Sequence, residues 1–106
     1  MVTHVENNVF RAVSDPTRRA ILDQLSDCGL CVAEIAEAFE VSRPAVSKHL
    51  RVLKAAGLVT VQRDGRERVY SLDPRPLQAV DDWMSRYRSE LRGTLRRLKD
   101  YVEGHP

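Results

Sequence analysis

Two short helical patterns joined by a turn of three to four residues, with a hairpin signal directly behind them, constrain this chain more than any other feature. Over residues 32–39 the apolar side chains Ile35, Ala36 and Phe39 recur at the spacing of one helix face. Glu40-Val41 is a tight turn. Ser42 then stands where a hydroxyl can cap the next helix, and Pro44 falls in its first turn, where a missing N–H is harmless. That helix is expected over 43–56, with Val46, Leu50 and Leu53 as its buried stripe and Gly57 as its stop. Small Ala36 sits where two helices must cross closely. Behind them, 58–63 and 66–72 are β-prone segments joined by Asp64-Gly65, a strong hairpin signal.

Upstream, Val9, Phe10 and Val13 form a first amphipathic stretch over 5–13, which stops at Ser14-Asp15-Pro16. Asp15 is a cap and Pro16 the first helical position of a helix running to about Ser26, with Ala20, Ile21, Leu22 and Leu25 as its inner stripe. Asp27-Cys28-Gly29 breaks it. Short helices followed by a hairpin give the order of a winged helix-turn-helix, mainly α with a small β-hairpin wing. At 106 residues there is room for one domain, expected to span 1–106.

The charge is unevenly spread. The balance is −4 over residues 1–40, +5 over 41–70 and +1 over 71–106, for a net +2. A local basic block in a near-neutral chain suits a polyanion, although a solvated helix surface has the same look. The side chains expected to project from the second helix of the pair are Ser42, Arg43, Ala45, Ser47, Lys48, His49 and Arg51, with Lys54 behind them. Arginine can bond guanine O6 and N7 in pairs, Ser and Ala suit phosphates or thymine methyls, and Lys48, Arg51 and Lys54 can neutralise phosphates. For His49 a DNA contact and an exposed spectator are both open. The hairpin places Arg63, Arg66 and Arg68 on a protruding ribbon that can reach the backbone or a minor groove.

The stretches 15–22 (Asp-Pro-Thr-Arg-Arg-Ala-Ile-Leu), 41–50 (Val-Ser-Arg-Pro-Ala-Val-Ser-Lys-His-Leu) and Leu53-Lys54…Gly57-Leu58-Val59 resemble the ArsR/SmtB family of bacterial repressors. The resemblance covers roughly residues 10–100. It implies a homodimer on a palindromic operator in double-stranded DNA that blocks transcription, often of its own gene. Two departures stand out. Glu40 holds a turn position commonly occupied by Gly; a left-handed Glu there would cost roughly 1 kcal/mol. The family's Cys-x-Cys pair is matched by Cys31 and Ala33, so one thiolate is missing, and no His lies on the last helix, since His105 falls beyond it. The usual metal sites are therefore not carried over, and no cofactor is expected.

Cys28 and Cys31 form a Cys-x-x-Cys. The spacing suits a disulfide, half of a metal site or a trivalent arsenical, and so a thiol sensor. It suits equally a small buried hydrophobe at Cys31 beside a turn residue at Cys28. His4 and His105 carry no particular reading.

Past Pro74 and Pro76, one long helix is expected over 77–102. Leu77, Met84, Leu91 and Leu98 recur every seven residues, as do Val80, Tyr87, Thr94 and Tyr101, and Trp83, Leu95 and Val102 widen the stripe. A stripe this broad exceeds what three short helices can cover. Dimerisation through terminal helices, with Leu77, Val80, Met84, Tyr87, Leu91 and Leu98 in the interface, is expected over a purely intramolecular core helix. No strictly apolar run exceeds four residues, so no membrane segment is expected, and the N-terminus lacks a signal-peptide layout, which points to the cytoplasm. A small thiol oxidoreductase lacks a nucleophile–base pair in any recognisable setting, so no enzyme is expected. A winged helix used for protein assembly would not need the +5 block.

Overall fold

The computed structural model describes residues 4–104. In chain order it has α1 (His4–Val13), α2 (Pro16–Leu25), α3 (Val32–Phe39), α4 (Arg43–Ala55), strands β1 (Val59–Asp64) and β2 (Glu67–Leu72), a 3-10 turn (Arg75–Leu77), α5 (Gln78–Ser85) and α6 (Arg88–Gly104). His4 belongs to α1 by its backbone alone, and His105 lies outside the described residues.

Local chemistry opens α2, α3 and α4 and closes α3 and α4. The Asp15 carboxylate accepts from the Arg18 N–H at 3.0 Å, and that bond, ahead of nearby positive charge, lowers the carboxyl pKa below its ordinary value. At the start of α3 the Glu34 carboxylate reaches back to the Cys31 N–H at 3.0 Å, which lowers its pKa likewise. The Ser42 hydroxyl accepts from the Ala45 N–H at 3.2 Å. Glu40 is left-handed at φ 53°, so the chain turns back and the Val41 N–H bonds the Ala36 carbonyl at 3.2 Å. Gly57, at φ 75°, ends α4 in the same manner.

The core lies where these helices meet the base of the hairpin. Ile21, Ile35, Val46, Leu50, Leu53 and Leu58 are fully enclosed there. Val9 and Ala12 bring α1 onto the same centre, whereas Ala20 is only half-buried.

The hairpin pairs Val59 with Leu72 through Asp64 with Glu67, antiparallel and without a bulge. The loop is Gly65-Arg66, one residue later than the Asp64-Gly65 step anticipates. Gly65 is left-handed at φ 64° and Arg66 is not, the pattern of a turn that needs glycine at its first central position. Leu30 adds a one-residue bridge on the far edge of β2, exchanging bonds of 3.0 and 2.8 Å with Tyr70. Gly29 allows that approach: a Cβ there would stand 2.7 Å from Val69 Cγ1.

The single helix expected over 77–102 is instead two. The Ser85 hydroxyl donates to the Asp82 carbonyl at 2.6 Å, and Arg88 reaches back to the Asp81 carbonyl at 3.3 Å while pairing with its carboxylate. The Ser85 hydroxyl thus takes the carbonyl that the Arg86 N–H would use, and regular α-helical bonding lapses at Arg86–Tyr87, where the Tyr87 N–H bonds the Met84 carbonyl at 2.9 Å. Leu77 and Val80 are half-buried against the core. Phe10 of α1 meets Trp83 edge-on at 5.9 Å, and Trp83 meets Tyr87 at 5.7 Å. No helix among the described residues is long and apolar enough to cross a membrane.

Candidate nucleic-acid interface

The α3–α4 pair supplies the site. Packing of Ile35 and Ala36 against Val46 and Leu50 fixes the inner sides of both helices. The same packing leaves Ser42, Arg43, Lys48, Arg51 and Lys54 exposed along α4, starting at its N-terminus. The first turn of α4 contains no acidic residue. Its uncompensated N–H groups and these cations make the leading end electropositive. Ala45 and Ser47 are half-buried on the two flanks of that face.

His49, grouped by sequence with the outward residues, is also half-buried and turns toward α2. Its Nδ1 lies 3.4 Å from the Arg18 guanidinium. Arg18 in turn donates to the carbonyls of Ala12 and Arg11, each at 2.9 Å, and Arg19 donates to that of Val13 at 2.7 Å. Two arginines of α2 therefore close the C-terminal end of α1. Neither was given a role from the sequence. Two adjacent cations just after a helix stop were the available signal.

Arg63, Arg66 and Arg68 are exposed on the wing. Arg63 and Arg68 stand directly opposite each other across the strands, on the face that continues Val59–Leu72 and Val61–Tyr70. Asp64 and Glu67 pair on the other face. Like charges in direct opposition destabilise a hairpin by about 0.2–1 kcal/mol, so the wing carries a basic face at some expense to its own stability. An anion laid along that face relieves the repulsion.

The cysteines divide. Cys31 is buried at the start of α3 and Cys28 is exposed in the preceding turn; both are free thiols. Among the described residues no three of His, Cys, Asp and Glu come together in a way that could hold a metal ion.

The apolar stripe after the wing is open. Trp83, Met84, Tyr87, Leu91, Leu95, Leu98, Tyr101 and Val102 are between 42 and 80% exposed, and no residue of α5 or α6 is buried. Of the six residues expected in a dimer interface, Leu77 and Val80 already rest on the chain's own core, while Met84, Tyr87, Leu91 and Leu98 have no such cover.

Comparison with known proteins places these features. Residues 15–61 match the family model described as bacterial regulatory protein, arsR family. The chain is 46% identical over 78 residues to the transcriptional repressor SdpR of Bacillus subtilis, covering 74% of this chain and 87% of that one. It is 46% identical over 81 residues to the HTH-type transcriptional regulator Rv2034 of Mycobacterium tuberculosis, covering 76% of each. Its fold superposes on a solved ArsR-like transcriptional regulator from Rhodococcus sp. RHA1 with a TM-score of 0.69, at 33% identity and over 95% of both chains.

Proposed function

The chain belongs to the arsR family of bacterial regulatory proteins, and from that premise we propose that it is a homodimeric repressor whose α4 enters the major groove of a palindromic operator. Membership itself makes it a DNA-binding transcriptional regulator and not an enzyme. What membership leaves open is which residues touch DNA and how the chain assembles.

The observation that carries the reading is the division of α4. One side is sealed into the core by Val46, Leu50 and Leu53, and the opposite side presents Lys48 and Arg51, with Arg43 and Lys54 beside them and no anion among them. In this reading Arg43 and Ser42 at the leading end read or orient against base edges, with Ala45 and Ser47 at the margins. Lys48, Arg51 and Lys54 neutralise phosphates. Arg63, Arg66 and Arg68 reach the backbone or the adjoining minor groove. The exposed stripe of α5 and α6 favours a two-fold pairing, which would set two copies of α4 about 34 Å apart for successive major grooves. The operator follows as the chain's own or a neighbouring upstream region.

Fluorescence anisotropy with a labelled duplex from that region and a scrambled duplex tests the assignment. Arg43→Ala is expected to weaken specific binding by about 1–3 kcal/mol and narrow the gap between the two duplexes. Arg66→Ala is expected to weaken both duplexes alike and to flatten the salt dependence. Parent-like binding by both variants would overturn the groove assignment.

A further inference from the structure

Arg18 is absent from the set of DNA-facing residues, yet its side chain reaches from α2 to a polar side chain of α4. Its guanidinium does three things at once. Nε donates to the Ala12 carbonyl, Nη2 donates to the Arg11 carbonyl, and Nη1 lies 3.4 Å from His49 Nδ1. Two of these bonds fix the guanidinium to the end of α1, so the third donor is held in place before it meets the ring. The Asp15 carboxylate, bonded to the Arg18 backbone N–H, adds a negative charge beside the cluster.

A guanidinium has donors and no acceptor. It can bond Nδ1 only if that nitrogen carries a lone pair, so a neutral His49 must hold its proton on Nε2. The ring is then an oriented single donor. Ala45 lies one turn before His49 on the same flank, adjoining the face of Lys48 and Arg51. A donor at that margin is suited to a phosphate oxygen at the wall of the groove.

We propose that Arg18 is a positioning residue for DNA binding: it locks His49 as the Nε2–H tautomer, and that N–H donates to a backbone phosphate at the edge of the α4 site. The proposal deepens the reading of α4 as the groove helix and rests on it. It also moves His49 from a free outward side chain to a held one.

Two measurements test it on the full chain. The first is an imidazole nitrogen–proton correlation spectrum of the free protein at mildly alkaline pH. The expected pattern is a protonated Nε2 and a bare Nδ1 for His49, collapsing to a tautomer mixture in Arg18→Gln. A proton on Nδ1 in the parent chain overturns the proposal whatever the protein does with DNA.

The second measurement is operator affinity. His49→Asn leaves an acceptor oxygen where Nδ1 stands but removes the distal donor. It is expected to keep the parent melting temperature and lose about tenfold in affinity. Arg18→Gln is expected to lose a similar factor, and the double variant no more than the weaker single one, because both changes remove the same contact. If His49→Asn binds as the parent does, or the two losses multiply, the proposal is wrong. Should Arg18→Gln fail to fold, the parent spectrum and the His49→Asn affinity still decide. Failure of the parent chain to prefer operator over scrambled duplex would instead strike the α4 reading itself.

Discussion

Glu40 is the residue where local physics and the fold disagree most openly. Its φ of 53° puts an L side chain in the left-handed region, at the turn that aims α4. Replacing it with glycine removes a Cβ clash of roughly 1 kcal/mol, offset in part by the entropy glycine brings to the unfolded chain. Glu40→Gly is therefore expected to raise the melting temperature by a few degrees, and a fall would contradict the account of the turn. Asp73 makes a second residue-scale case. Arg75 bonds its carboxylate twice through Nε and once through Nη2 at 2.7 Å, and bonds it again through the backbone N–H. Those bonds hold the Asp73 pKa down at about 2. A carboxyl with a depressed folded pKa contributes stability above its unfolded value, near 3.9, and loses it as pH falls toward 2. Urea melts between pH 5 and pH 2 should therefore lose less stability in Asp73→Asn than in the parent. An identical acid slope in both chains would remove Asp73 from the account.

At the scale of elements, the parts legible in the sequence are those whose boundaries are written in one or two neighbouring residues. Asp15 and Pro16 open α2, Ser42 and Pro44 open α4, and Gly57 closes it, each as local propensity requires. The break between α5 and α6 was not legible. A seven-residue repeat runs straight through it, because periodicity registers only apolar spacing and not the Ser85 and Arg88 side chains that bond the Asp82 and Asp81 carbonyls. The Arg18 contact of His49 was hidden for a related reason: helical phase puts His49 beside an open face, but only the fold shows α2 and Arg18 against it. The wing offers an element-scale prediction. Arg63 opposes Arg68 directly, so Arg68→Ala should leave the folded domain equally stable or stabilise it by up to about 1 kcal/mol. The same change should weaken DNA binding. Chemical denaturation and duplex titration on one preparation check both signs together, and a destabilised variant with unchanged affinity would show that the arginines serve the hairpin and not a polyanion.

The whole molecule is elongated. Its radius of gyration is 18.1 Å and its extents are 64 × 36 × 20 Å. A compact chain of this length would have a radius of about 13 Å. The excess comes from α6, which packs on α5 and otherwise presents Leu91, Leu95 and Leu98 to solvent. Each such side chain gains about 1.5–3 kcal/mol when fully buried, so an open row of them favours a covering surface. In the proposed homodimer a second copy, with the same row in reverse, would supply one without any further partner. The proposed two-fold pairing would present two copies of α4, as the proposed palindromic operator requires. Hydroxyl-radical footprinting of the chain on its own upstream region tests this picture most directly. The account predicts two protected patches on one face of the duplex, centred about 10 base pairs apart, one turn of the DNA helix. A single patch of half that span, or even protection along the whole fragment, would contradict it.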